Sequence, residues 1–427
     1  MAQKLKFGNG TWATKEGSTL AYNDENNNYK PLPFSFTRDS IATRVNKEGL
    51  IEVVGKDKPR IDYTDSADGV LLLENSSTNL ITQSQAFDDS YWTKSGSSVT
   101  SNNAISPDGS LNASKLVEGT NNGGHFIKKR FDGSSSKYTN SIFVKAGEVT
   151  KVGFAESGST DDYASFDLES GSLISSGGNS SFSIKKISNN WFKISLTSDS
   201  NLTRNDFNIS LLQDNYTSGV PYAQSYQGDG TSGIYIWGAQ LEQQSYATSY
   251  IPTSGSTVQR AAETANGAGN SEVFNDSEGV LYINTAALAN DGTNRQISIS
   301  DGNTNQRVYF GFRTNVNEFL LSSRDSSYIV TTIGDATNYN KYVFQYKSGN
   351  FKAFVNGFNY VLDADGGLLP TGLNTLNFDN GAGADDFYGK TKEISYYDTA
   401  LTDEELETLT SYRSLNELVT ELNLNKL

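Results

Sequence analysis

The chain has 427 residues, one histidine and no cysteine, and its 49 acidic against 34 basic residues leave a net charge of −15. With a pI of about 4.6 it is repelled by a phosphate backbone or an anionic membrane surface, which excludes nucleic acid as the expected partner. The missing cysteines exclude disulfides, thiolate metal sites and thiol nucleophiles, and the length suggests two or three domains at about 100 to 200 residues each.

The opening "MAQKLKFGNGTWATKEG" has no apolar core of signal-peptide length, and nowhere do about eighteen apolar residues run together, so neither export by an ordinary signal nor membrane insertion is expected. Residues 1–48 mix turns and basic side chains, with Pro31 and Pro33 marking an extended crossing. From 49 to 262, short β-branched and aromatic runs such as "GVLLLE", "SIFVKAG", "WFKISLT" and "IYIWGAQLE" recur between glycine, serine and asparagine, the pattern of short strands and tight turns. In the last of these, strict alternation predicts Tyr235, Trp237, Ala239 and Leu241 on one face and Ile234, Ile236 and Gln240 on the other. The small-residue stretch "AAETANGAGNS" reads as a linker, bounded at 263–271. A second β module is expected over 272–400. Its clearest part is "KYVFQYKSGNFKAFVNGFNYVLD", where Tyr342, Phe344 and Tyr346 share a face, Phe351, Ala353 and Val355 continue it, and Asn356-Gly357 supplies the positive-φ pair of a type I′ hairpin.

Only the end, 401–427, reads as a capped helix with a tail. Thr402 and Glu405 form the two halves of a capping box, and Leu401 and Leu406 form a hydrophobic staple. Leu406, Leu409, Leu415, Leu418 and Leu422 make an apolar stripe. That stripe packs either on its own sandwich or against other subunits.

Catalytic vocabulary is sparse. His125 sits alone in a glycine turn, no G-x-S-x-G elbow occurs, and Glu393 and Asp398 on "KEISYYD" are at odd spacing, hence on opposite faces of a strand. Asp363 and Asp365 in "LDADGG" and Asp385 and Asp386 in "GADDFYG" are read either as turn residues or as calcium ligands, without the full set of an EF-hand. No cofactor is expected, with calcium at those aspartates as the alternative. Aromatic rings can stack on a pyranose while amides take its hydroxyls. The candidate carbohydrate-binding residues are therefore Tyr91 and Trp92 in "DDSYWTKS" and Tyr246 and Tyr250 in "QSYATSY", whereas Trp191 and Trp237 stand on apolar strands and are read as core.

Two resemblances follow. "YVFQYKSGNFKAFVNG" with "FYGKTKEISYYDTALTDEELETL" resembles the concanavalin A-like (laminin G-like) lectin and glucanase sandwich over about 272–411. "FTRDSIATRVNKEGLIEVVGKDKPRIDYT", "GVLLLENSSTNLITQSQAFDDSYWTKS" and "GAQLEQQSYATSYIPTSGSTVQRAAE", in that order, resemble the jelly-roll modules of phage tail-fibre, tailspike and head-fibre proteins over about 34–264. The implied fold is all-β, two tandem β-sandwiches (jelly-roll and concanavalin A-like) with an N-terminal attachment segment and a C-terminal helix. The implied role is a virion structural protein on the virion surface, assembled in the host cytoplasm. It would be homotrimeric, held to other virion proteins by residues 1–48, and would bind host cell-surface polysaccharide. The E-x-D-x-x-E strand of the related glucanases is absent, so no enzymatic activity is expected. A capsule depolymerase (hydrolase or lyase) and a structural adaptor without glycan binding are the alternatives.

Overall fold

The computed structural model describes residues 3–10, 13–15, 18–25, 28–132, 136–156, 162–198, 204–324, 326–331, 334–360 and 367–422. These are nearly all β, as expected, and divide into two compact units. The first comprises residues 1–41, 54–75 and 261–427, and the second 42–53 and 76–260.

Unit 1 is a sandwich of two antiparallel sheets. The larger runs in the order Thr264–Asn266, Asn28–Thr37, Ser18–Glu25, Gln3–Gly8, Gly389–Tyr397, Glu278–Ala287, Asn340–Lys347, Lys352–Val355, Phe358–Tyr360. The smaller runs Ser326–Thr331, Glu318–Ser323, Arg307–Phe312, Arg295–Ser300, Thr375–Asn377. Period-2 alternation turns one face of each sheet inward: Leu281, Ile283, Tyr342, Phe344 and Ile394 from the first meet Ile297, Ile299, Phe310, Phe319 and Leu321 from the second in one buried core.

Two expected boundaries are corrected here. Residues 1–48 do not form a segment apart: Gln3–Gly8 lies between Gly389–Tyr397 and Ser18–Glu25, with Phe7 opposite Ile394, and Leu5 and Phe7 are buried in the unit 1 core. The 263–271 stretch is not a linker either. Thr264–Asn266 pairs with Asn28–Thr37, and Ala265 and Ala268 are fully buried in the same core. Small residues were needed there for close packing, which composition alone cannot distinguish from flexibility.

The meander and its turn are as expected. Tyr342, Phe344, Tyr346, Phe351, Ala353 and Val355 all face the core, and Asn356 and Gly357 have φ of 50° and 86°. The capping box on α1 (Asp403–Thr410) is also present, with Thr402 accepting from the Glu405 N–H and the Glu405 carboxylate accepting from the Thr402 N–H. Leu401, Leu406 and Leu409 seat α1 on the outer face of the large sheet, against Val280, Tyr282, Val343, Phe354 and Tyr397. The helix does not continue to the end of the stripe. It stops at Ser411, and a second helix, α2 (Leu415–Glu421), starts with its own N-cap, Ser414, which accepts from the Glu417 N–H at 3.1 Å. The leucine stripe is thereby split: Leu406 is buried, whereas Leu415 is 59% exposed.

Unit 2 packs two six-stranded antiparallel sheets, as the expected second sandwich. One runs Thr93–Ser95, Phe126–Asp132, Arg204–Leu212, Lys151–Ala155, Tyr163–Asp167, Ser172–Gly177; the other Ser97–Ile105, Leu111–Glu118, Gly233–Glu242, Tyr138–Ala146, Phe192–Ser198, Ser181–Lys186. The strand Gly233–Glu242 departs from strict alternation. Ile234, Ile236, Ala239 and Leu241 all reach the main core, while Tyr235 and Trp237 pack on the other side with Phe143 and Tyr250. The cause is a β-bulge at Gly238 (φ 66°), where the register against Tyr138–Ala146 shifts and the strand changes face.

Candidate functional site

The outer face of the large unit 1 sheet carries a cavity of about 420 Å³. Its floor is built by outward positions of three neighbouring strands: Tyr282 and Asn284, Lys341, and Glu393. Its walls come from Asn9, from residues 66–69 with Asp68, and from α1 and α2 with Ser411, Arg413, Glu417 and Glu421. The break between the helices therefore has a use, since it places Ser411 and Arg413 at the rim.

Charge is paired around this cavity. Lys341 Nζ donates to Glu417 Oε1 at 2.7 Å and to the Ser411 carbonyl at 3.0 Å, and lies 4.8 Å from the Tyr412 ring centre. Lys392 Nζ donates to both Glu421 carboxylate oxygens at 2.6 and 2.7 Å and sits 4.0 Å over the Tyr339 ring. Lys6 lies 3.5 Å from Glu393. Desolvation works to raise the Glu417 pKa, but the Lys341 ammonium and the Arg413 N–H outweigh it and hold the carboxyl below its ordinary value. Burial, reinforced by Glu393, pushes the Tyr282 phenol well above its ordinary range, so it stays a neutral hydroxyl. Asn284 is 7% exposed, and among the described residues its Oδ1 has no hydrogen-bond partner. A buried amide oxygen left this way costs about 1–3 kcal/mol unless water or a ligand donates to it. Glu393, which the sequence presents as surface charge, is thus a cavity residue. Nothing in its local spacing reveals that, because the helices that wall the site in come later in the chain.

The sequence candidates are not brought together in this way. Trp92 is buried, with its ring 5.4 Å from Phe207 and Nε1 donating to the Gln83 carbonyl at 3.1 Å. Tyr250 is 4% exposed, and its hydroxyl lies 2.7 Å from Ser84 Oγ and accepts from Gln85 Nε2 at 3.0 Å. Both are core residues of unit 2 and cannot stack on a sugar, which corrects the expectation for them. Tyr91 is half-buried; its hydroxyl accepts from the Thr82 N–H at 3.3 Å, and Lys129 Nζ covers its ring at 4.2 Å. Tyr246 is half-buried on the same exit loop as Tyr250. Trp191 and Trp237 are core, as expected, and His125 is buried with its ring nitrogens facing the carbonyls of Gly96 and Tyr226.

That exit loop is held by a buried latch. Glu242 accepts from Ser77 Oγ at 2.6 Å, Gln240 Nε2 at 2.7 Å and the Thr248 N–H at 3.0 Å, while Asn79 Nδ2 donates to the carbonyls of Ala239 and Ile251. The conspicuous polar residues of "QLEQQSYATSYIP" are thus structural ties.

Asp363 and Asp365 lie outside the described residues. Asp385 takes a positive φ of 52° and accepts from Gln296, through its carbonyl at 2.9 Å and its carboxylate at 3.2 Å. Asp386 accepts from the Tyr388 hydroxyl at 3.0 Å; burial, with Asp379 and Asp385 behind it, holds its pKa above the ordinary value. Their contacts are those of a turn. Among the described residues no group of three or more His, Cys, Asp or Glu is arranged to hold a metal ion.

No family model matches the chain, and no curated protein does. Among solved structures, the CBM40 module of the Ruminococcus gnavus IT-sialidase bound to α2,3-sialyllactose is 16% identical, over 34% of this chain and 94% of its own, at a TM-score of 0.29. The leech intramolecular trans-sialidase is 17% identical, over 35% of this chain and 26% of its own, at 0.27. The Trypanosoma rangeli sialidase is 10% identical, over 96% of this chain and 94% of its own, at 0.29. At these TM-scores the likeness assigns this chain neither activity nor ligand. The expectation of a non-enzymatic chain rested on missing motifs alone, which do not exclude an activity, and it is withdrawn; sialidases are among the solved structures that this chain is similar to.

Proposed function

We propose that the chain is a fibre or decoration protein on the surface of a bacteriophage virion, and that it binds host surface glycans in the unit 1 cavity. The observation that carries the glycan reading is the cavity itself. Its volume of about 420 Å³ falls in the roughly 300–1,000 Å³ of ligand sites, and its lining offers amide, hydroxyl, ammonium and carboxylate groups. A sugar presents many hydroxyls, which suits such a lining. Sugar-binding proteins appear among the structural neighbours, the CBM40 module with sialyllactose included.

The virion setting rests on the three ordered motifs of residues 34–264. Homotrimeric assembly in the host cytoplasm accompanies that setting and has a physical motive: no residue of α2 is buried, and Leu415 projects 59% exposed. Many weak sites on one particle then gain strength through avidity.

Binding of host capsular and lipopolysaccharide oligosaccharides on a glycan array tests the reading. Asn284→Ala and Glu393→Gln are expected to weaken binding tenfold or more while leaving the melting temperature within a few degrees. Unchanged binding in both variants removes the cavity from the account. A second reading, a polysaccharide depolymerase, is favoured by the four carboxylates of the lining: Asp68, Glu393, Glu417 and Glu421. Release of reducing ends from the same polysaccharides would select it.

A further inference from the structure

One end of the unit 2 sandwich interior is polar. Along Tyr138–Ala146 the inward positions are Tyr138, Ile142 and Val144, so Asn140 points inward with them. The same alternation turns Ser198 inward after Ile194 and Leu196, Asn205 inward before Phe207 and Ile209, Glu156 inward after Val152 and Phe154, and Asp162 inward before Ala164 and Phe166. All five are at most 1% exposed. Glu156 and Asp162 face each other across the end of one ladder, the Glu156 N–H donating to the Asp162 carbonyl at 2.8 Å.

Among the described residues, neither carboxylate oxygen of Glu156 meets hydrogen-bond geometry with any protein group, and neither side-chain atom of Asn140 or of Asn205 does. A buried carboxylate and two buried amides left this way are costly, because each has lost its water without replacement. Burial, opposed by the Ser198 hydroxyl and reinforced by Asp162 and Asp206, pushes the Glu156 carboxyl up to about 7. Protonation would relieve the charge, but it would leave the two amides as they are.

We propose that the polar end of unit 2 is a calcium site, in which Glu156 supplies carboxylate oxygens, Asn140 and Asn205 supply amide oxygens, and Asp162 and Ser198 stand at its wall. The donor set is all hard oxygen and includes a carboxylate able to bind through both atoms, which suits calcium's six to eight oxygen ligands better than a thiol- or imidazole-seeking metal. The site is remote in sequence from Asp363, Asp365, Asp385 and Asp386. It completes the core of unit 2, whereas those aspartates belong to unit 1.

The test uses the full chain, dialysed against EGTA and then titrated with CaCl2 by calorimetry, with the melting temperature followed in parallel. One calcium per chain is expected, with a melting temperature that rises on addition and falls again with EGTA. Glu156→Gln is expected to abolish the heat, and Asp385→Asn to leave it unchanged. Should Glu156→Gln fail to fold, Asn140→Ala serves instead, with affinity expected to fall at least tenfold. No heat and no thermal shift up to about 10 mM CaCl2, above the weakest range of calcium modules, would mean that only water fills this end and would overturn the proposal. Binding that persists undiminished in the folded variants would place the ion elsewhere and overturn it equally.

Discussion

Glu263→Ala tests the buried charge network that ties unit 1 together across its sequence. Glu263 Oε1 accepts from Arg38 Nη1 at 2.6 Å and from Arg60 Nε at 2.8 Å, and Oε2 accepts from Arg60 Nη2 and from the Glu74 N–H at 2.9 Å. Arg38, Arg60 and Glu263 side chains are fully buried and Glu74 is 4% exposed. Removing the carboxylate leaves two guanidiniums in the interior. Arg60 retains Glu74 at 2.8 Å, and Arg38 retains the neutral carbonyls of Ser40, Val54, Gly55 and Lys58. Breaking a buried pair from one side costs about 3–5 kcal/mol, which for a unit of this size corresponds to a fall of about 6–20 °C in its melting temperature. Thermal unfolding followed by circular dichroism would show this in the unit 1 transition, with the unit 2 transition unmoved. A shift below about 2 °C, scarcely 1 kcal/mol, would refute the reasoning, since it would mean that the two arginines do not depend on Glu263.

Three further outcomes are expected. Gly357→Val forces a β-branched residue to φ 86° and brings its Cβ within 2.8 Å of Ser411 Oγ, so it should cost about 1–3 kcal/mol; an unchanged urea midpoint would refute the strain. In calcium-free buffer the raised Glu156 pKa makes the protonated form the favoured one in the fold. Stability should therefore fall as pH rises from about 4.5 to about 7, by up to about 3 kcal/mol. Glu156→Gln should flatten that slope, and parallel pH profiles of the two proteins would contradict it. Light scattering on the intact protein should give three times the 46.5 kDa chain mass, and removal of residues 412–427 should weaken the assembly with both sandwiches still folded. A monomer at micromolar concentration would count against an intrinsic trimer.

Much of the fold was legible because it rests on local chemistry. Alternation exposed the strands, Asn356-Gly357 announced its own turn, and Thr402 with Glu405 announced α1. What escaped depended on partners far away in sequence. Gln3–Gly8 reads as part of an attachment segment until Gly389–Tyr397 is placed beside it, and Ala265 and Ala268 look like linker until the core closes on them. The bulge at Gly238 hid because a glycine within an alternating run gives the same letters whether or not the face changes. The polar motifs quoted over residues 34–264 supply two buried networks. The motifs "FTRDS", "KPRIDY", "LLLENS" and "QRAAE" supply Arg38, Arg60, Glu74 and Glu263, while "SSTNL" and "GAQLEQQSYATSYIP" supply Ser77, Asn79, Gln240, Glu242 and Thr248. Such residues stand out in a sequence because buried polar groups need defined partners, and that is why Tyr250 looked like a binding residue when it is part of the same interior. The cavity residues do not stand out. Tyr282, Asn284, Lys341 and Glu393 each occupy an ordinary outward strand position, and only the fold of α1 and α2 over them makes a site.

The glycan account is tested most directly by the crystal structure of the protein with an oligosaccharide that it retains on the array. The sugar is expected in the unit 1 cavity, between Glu393 and Arg413. A sugar bound on unit 2 with that cavity empty would contradict the account.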